Sequence, residues 1–217
     1  MISSTNYILD TDILQSAIEY IPDIDFKLPL NQPTDDFFYS PWDIKKEFKN
    51  TVWADVLDSL PELHGEARLI KLDPGTCYYA HADIDDRWHL SLQAEQAFLI
   101  DIHNEKMHKI NVDGRWYNFE ATNIHSAANF GNIPRVQLVV RKLLHKNKLH
   151  SPVHVKLTLK KFRHDYRYLF DHAISPWLNK ANKNSWLTDF KMDNDSVTFL
   201  IEGNKIDSLS KIMLTDF

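Results

Sequence analysis

One cysteine, Cys77, in 217 residues leaves no partner for an internal disulfide and fits a reducing compartment. The chain also lacks any run of 18 apolar residues, so no membrane-spanning helix is expected. Its first residues, MISSTNYILDTDILQ, have no basic start and carry Asp10 and Asp12 where a secretory signal would be apolar. The expected location is the cytoplasm. There is no internal repeat and no low-complexity tract. What remains is a chain that is 43% hydrophobic, long enough to bury one sizeable core with a small appended unit.

Charge is mildly negative in total and uneven along the chain. Nine Lys and Arg face one acid between Arg141 and Arg167, a balance of +8 that leaves −13 for the rest of a chain whose net charge is −5. Such a stretch can mark a surface for an acidic partner, or it can pair with the protein's own acidic N-terminal third. That internal reading, or a merely solvated face, is preferred.

Periodicity divides the chain into three parts. Residues 1–62 read as an N-terminal helical support: a helix capped by Asp10 or Thr11 and stopped by Pro22, a short strand near Phe26 to Leu30, and a helix from Ser40 to about Leu60 broken near Asn50. Residues 63–145 read as short strands without intervening helices, the pattern of a jelly-roll barrel. Those strands are Glu66–Leu72, Cys77–Asp83, Trp88–Gln93, Ala97–Ile102, two pieces of Met107–Phe119 split at Asp113-Gly114 as a hairpin, Glu120–His125 and Arg135–Leu143. Residues 146–217 form a C-terminal α/β extension, with an edge strand at Val153–Leu159, a helix at Arg163–Ile174 and a final hairpin of Val197–Glu202 with Lys205–Leu209. The fold expected is therefore mainly β, a double-stranded β-helix or cupin-like barrel flanked at both ends.

Inside the barrel region one constellation carries chemistry. On a strand, side chains at i and i+2 share a face about 7 Å apart, so His81 and Asp83 would project together. His125 arrives from a distant strand. Two imidazoles and one carboxylate on one side of a metal leave three positions open on Fe(II). Arg135 begins an otherwise apolar strand, where a bound dicarboxylate would satisfy its guanidinium bidentately. Arg87 and His89 keep the odd parity of His81 and Asp83 and face the same cavity if the strand resumes in register. Trp88 and Trp116 are read as core or cavity wall, Cys77 as a small buried hydrophobe, and the other eight histidines as surface or structural. Tyr79 and Asn129 are pocket candidates.

The segments HADIDDRWHLSL, GRWYNF and IHSAANFGNIPRVQLVV resemble the aspartyl/asparaginyl β-hydroxylase-type 2-oxoglutarate and Fe(II)-dependent oxygenases, a group that includes bacterial proline hydroxylases. The resemblance spans about Arg68 to Arg141. It rests on Pro74-Gly75 before the first His, an Arg-x-His-Leu element at Arg87, a glycine and tryptophan at Gly114 and Trp116, and an Arg ten residues beyond His125. It implies that His81, Asp83 and His125 ligate iron, that Arg135 holds the distal carboxylate of 2-oxoglutarate, that His89 assists at the proximal one, and that Arg87 faces co-substrate or substrate. Ile70 stands where some members place a serine, and the C-terminal third matches no family pattern. The implied activity is hydroxylation of an amino acid, free or in a polypeptide, with release of succinate and CO2. Nucleic acid is disfavoured as substrate because the barrel portion is acidic, and the oligomeric state is left open. A cupin-like metalloenzyme that does not use 2-oxoglutarate, or a binding module on the same scaffold, are the competing readings.

Overall fold

The computed structural model describes residues 2–158, 170–193 and 196–213. Its strands, in chain order, are β1 Ile2–Ile8, β2 Lys27–Pro29, β3 Asn31–Pro33, β4 Trp42–Ile44, β5 His64–Leu72, β6 Thr76–Cys77, β7 Arg87–Gln93, β8 Ala97–Asp101, β9 Lys106–Lys109, β10 Arg115–Phe119, β11 His125–Asn129, β12 Arg135–Lys142, β13 Pro152–Thr158, β14 Leu187–Met192 and β15 Ser196–Glu202. A six-stranded sheet has the order β1-β10-β7-β12-β5-β2, and a four-stranded sheet the order β6-β11-β8-β9. From β5 to β12 the chain crosses repeatedly between the two, and all of these pairings are antiparallel. That is a double-stranded β-helix, the jelly-roll barrel.

The two faces of the large sheet have opposite characters because side chains alternate. Leu69, Trp88, Leu90, Trp116, Val136, Leu138 and Val140 point outward and form the main core with helices α1 (Thr11–Glu19) and α2 (Val52–Asp58). The opposite parity, Arg68, Arg87, His89, Phe119, Arg135 and Val139, turns into the barrel and lines a cavity. An apolar outer face covered by helices thus frees the inner face for polar groups.

Asp10 caps α1 as expected, its carboxylate accepting from the Asp12 and Ile13 amides. The helix expected from Ser40 is only half present. Trp42–Ile44 is β4, paired with β3, followed by a 3-10 turn at Lys46–Phe48 before α2 begins behind its Thr51 cap. The cause is a long-range anchor: the Asn31 side chain donates to the Gly65 carbonyl (2.8 Å) and accepts from the Ala67 amide (2.7 Å), pinning β3, the partner of β4, extended against β5. β1 was not anticipated, since ISSTNYI has little apolar alternation; it lies at the edge of the large sheet, paired with β10.

Asp113-Gly114 is not a hairpin turn. β9 and β10 belong to different sheets, and Gly114, at φ +71°, turns the chain from one to the other. The strand expected to run from Cys77 to Asp83 stops at Cys77, whose side chain is exposed rather than buried because β6 is only two residues long.

The C-terminal unit stacks the sheet β13-β15-β14 with the helices Ser175–Lys183 and Ile206–Met213. Its core of Phe170, Ile174, Leu178, Phe190, Phe199 and Ile201 also takes in Phe38, Tyr39, Ile84 and Leu144 from the barrel side. β13 lies at the sheet's edge as expected. Residues 163–169 of the helix expected at Arg163–Ile174 lie outside the described residues; Phe170–Ile174 is a π-helical turn running into Ser175–Lys183. The expected final hairpin is absent: β15 pairs with β13 and β14, and Lys205–Leu209 falls in a 3-10 turn and helix. The alternation Ile206, Leu209, Ile212 with polar residues between is helical spacing, which the preceding Gly203-Asn204 obscured. Among the described residues no helix is long and apolar enough to cross a membrane.

Candidate metal centre

His81, Asp83 and His125 come together at one end of the barrel, each offering a ligand atom within 4.8 Å of the others. His125 opens β11. His81 is held opposite it by an isolated bridge, with amide-to-carbonyl bonds of 3.0 and 2.8 Å in the two directions. Asp83 follows in the irregular segment between β6 and β7, its amide donating to the Ala121 carbonyl at 2.8 Å. Two backbone links, rather than a continuous strand, therefore place the first two residues.

The rings are oriented for a metal. With the proton on Nδ1, His81 donates to the Tyr79 carbonyl (3.0 Å) and His125 to the Asn123 carbonyl (2.8 Å), which leaves both Nε2 atoms free. Asp83 Oδ1 is held by Arg87 at 2.8 Å, while Oδ2 is buried with no hydrogen-bond donor, 3.7 Å from His125 Nε2. Burial pushes His125 down to about 4, against the opposing pull of Asp83, so the ring is neutral at neutral pH, the state a ligand needs. Two free imidazole nitrogens and one unsatisfied carboxylate oxygen make a 2-His-1-carboxylate donor set. The His-Asp-His group can hold a metal ion.

Behind it lies a cavity of about 290 Å³. Arg135 and His89 line it, His89 on the face that its parity with His81 and Asp83 predicts, and both are buried. Arg135 Nη2 and His89 Nδ1 share one acceptor, Gln137 Oε1, whereas Arg135 Nε and His89 Nε2 have no partner. Among the described residues no carboxylate pairs with Arg135. Burial pulls its pKa down to about 10, with only the Tyr78 hydroxyl opposing, and burial followed by the Arg135 charge holds His89 well below the ordinary histidine value.

Arg87 also lines the cavity, but two of its nitrogens are committed, Nη2 to Asp83 Oδ1 and Nε to Asp85 Oδ1 at 3.2 Å. Its evident task is to hold a ligand carboxylate. Tyr79 lines the cavity mouth; Asn129 does not, bonding instead to the Leu72 and Ile133 carbonyls at the turn after β11. Sequence reasoning missed Arg68, Tyr78, Phe119 and Gln137. Arg68 and Gln137 carried a usable signal, each lying two residues from a cavity position on the same strand, at Ile70 and Arg135.

Fold and site together define a double-stranded β-helix with a group able to hold a metal ion. No family model and no curated protein matches the chain. Among solved structures, it is similar to a Pseudomonas putida prolyl-4-hydroxylase, 13% identical over 64% of this chain and 90% of that one, TM-score 0.37. It is similar to a cupin domain from Bordetella pertussis, 9% identical over 55% of this chain and 96% of that one, TM-score 0.34. It is also similar to a cupin-superfamily sugar phosphate isomerase from Silicibacter pomeroyi, 22% identical over 39% of this chain, TM-score 0.30, and spans only 54% of that protein's length. At identities and TM-scores this low, the likenesses assign neither activity nor substrate.

Proposed function

We propose that this protein is a 2-oxoglutarate- and Fe(II)-dependent dioxygenase that hydroxylates an amino acid, free or as a residue in a polypeptide, with release of succinate and CO2. The observation that carries the reading is Arg135: a buried guanidinium without a carboxylate, in the same cavity as two free imidazole nitrogens and an unsatisfied carboxylate oxygen. A buried unpaired charge is costly, and a dicarboxylate bridging the metal and Arg135 would supply the missing anion. Bound Fe(II) and 2-oxoglutarate would supply the oxidising power for C–H hydroxylation.

The chain's own residues bind and orient. His81 and His125 offer Nε2 and Asp83 offers Oδ2; Arg87 keeps the Asp83 carboxylate turned by holding its other oxygen. Arg135 would take the distal carboxylate of the co-substrate, and His89, whose Nε2 has no partner, would stand beside the proximal one. Leu99, Phe119, Ala127 and Val139 make the apolar walls that keep water out. Arg68 and Lys27, both paired with Glu66, stand at the cavity lining where a substrate carboxylate would dock.

The test has two arms. Anaerobic Fe(II) titration of the parent beside His81→Ala, Asp83→Ala and His125→Ala should show iron binding lost or weakened in all three; unchanged affinity in all three ends the proposal. Succinate release with Fe(II), 2-oxoglutarate and oxygen should then be stimulated by an amino acid or peptide, and Arg135→Lys, which keeps the charge but loses the bidentate fork, should weaken 2-oxoglutarate binding while iron binding persists. Iron binding with no 2-oxoglutarate binding would favour the cupin-like alternative, and turnover only with nucleic acid would overturn the substrate class.

A further inference from the structure

Asp83 lies in the segment between β6 and β7 that no sheet ladder holds, and beyond Asp83 itself the segment is gripped from the C-terminal unit and from the end of β12. The Ile84 side chain is buried in the C-terminal core, and its carbonyl accepts from Asn179 Nδ2 at 2.6 Å, both groups being buried. Asp85 Oδ2 meets Arg141 Nε at 2.7 Å. Asp86 Oδ2 meets Lys183 Nζ at 2.7 Å, and its carbonyl accepts from the Lys142 amide at 2.9 Å. Asn179 and Lys183 stand one turn apart on the helix Ser175–Lys183, so a single rigid element holds the main chain at 84 and the side chain at 86.

We propose that the helix Ser175–Lys183 is a positioning element of the metal centre: through Asn179 and Lys183 it sets the course of residues 84–86 and so the direction in which the Asp83 carboxylate points. This rests on the reading of His81, Asp83 and His125 as metal ligands. The carbonyl that Asn179 holds belongs to Ile84, the residue next to Asp83, so freeing it loosens the main chain immediately beyond the ligand. Groups that orient metal ligands typically change affinity 10- to 100-fold when removed. Coupling is reciprocal: if the helix favours the metal-bound direction of Asp83, metal must in turn hold the helix.

Co(II) is the probe, because its visible absorption reports coordination without oxygen or co-substrate. In the full-length protein, Asn179→Ala should lower Co(II) affinity by about tenfold or more and change the absorption band. Lys183→Met should give a smaller loss that Lys183→Arg restores. In the parent, Co(II) should slow hydrogen exchange of the Ser175–Lys183 amides, an effect a merely structural helix contact would not produce. If Asn179→Ala fails to fold, Lys183→Met decides, since that side chain is 43% exposed. Folded variants with parental Co(II) affinity and spectrum overturn the inference and leave the metal site standing. Co(II) uptake unaffected by His81→Ala overturns both.

Discussion

Arg135→Met should make the ligand-free protein more stable and its response to 2-oxoglutarate vanish. The guanidinium is 4% exposed, and burial takes its pKa from 12.5 to about 10 with no carboxylate in return. At about 1.4 kcal/mol per unit, the charged form is disfavoured in the empty fold by about 3 kcal/mol relative to water. Methionine fills much of the space without the charge, and Gln137 keeps His89 as a partner. Some packing is lost, so the expected gain is about 1–3 kcal/mol, or about 2–4 °C in melting temperature per kcal/mol for a chain of this size. The parent, by contrast, should gain about 2.7 kcal/mol from 2-oxoglutarate at 100 times its Kd. Thermal unfolding of both proteins with Mn(II) replacing iron, with and without 2-oxoglutarate, measures all four states. A variant less stable than the parent without ligand, or one that keeps the parental ligand shift, refutes the reasoning.

Arg87→Met leaves Asp83 without its cation and Asp85 with Arg141 alone, and should cost about 3–5 kcal/mol, read from denaturant midpoints. Saturating Mn(II) should recover part of that loss, since a divalent ion compensates Asp83; no recovery would detach Arg87 from the metal centre. Tyr39 is held by burial at about 12, above its ordinary 10.0, while its hydroxyl accepts from the Phe190 amide. The native state keeps the proton that the unfolded chain releases near pH 10, so this stabilisation is complete below pH 10 and falls by about 3 kcal/mol as pH rises to 12. Tyr39→Phe should remove that alkaline slope, leaving a constant offset; equal slopes in denaturant unfolding between pH 9 and 12 would contradict it.

The barrel was legible because each strand carried its own period and its own turns. Arg135, Gln137 and Val139 against Val136, Leu138 and Val140 already stated which face met the helices, and Asp73-Pro74-Gly75 already marked a turn. Elements held by long-range partners were not legible. Trp42–Ile44 became a strand through Asn31 bonding across to Gly65 and Ala67, and β1 through main-chain pairing with β10, neither of which leaves a mark in the local sequence. The same division holds at the site. Residue type and spacing picked out His81, Asp83, His125 and Arg135, whereas the grip of Arg87 on Asp83 and of Asn179 on Ile84 depends on contacts that only folding creates.

Charge gives these parts a common logic. The carboxylates of Asp83, Asp85 and Asp86 meet Arg87, Arg141 and Lys183, so the loop is balanced before any ion binds. Glu66 is shared by Arg68 and Lys27, which leaves one cation in excess, and Arg135 adds another. A divalent ion on two histidines and an already balanced aspartate would raise the excess further, and in a site shielded from water such an excess is expensive. The proposed co-substrate, a dianion, offsets the ion; the excess that remains lies with Arg68 and Lys27 at the cavity lining, which favours a substrate carrying a carboxylate. The basic stretch, the one feature that speaks for a polyanion, is partly turned inward: Arg141 is buried against Asp85 and the rings of Phe37 and Phe38, Lys142 Nζ lies 3.5 Å over the ring of Trp88, and Lys146 approaches Tyr39. Lys160, Lys161, Arg163 and Arg167 lie outside the described residues. Arg141, Lys142 and Lys146 therefore face the barrel's own acids and aromatic rings, whereas Lys148 and Lys156 are exposed; the positive charge inside the cavity is that of Arg68, Lys27 and Arg135.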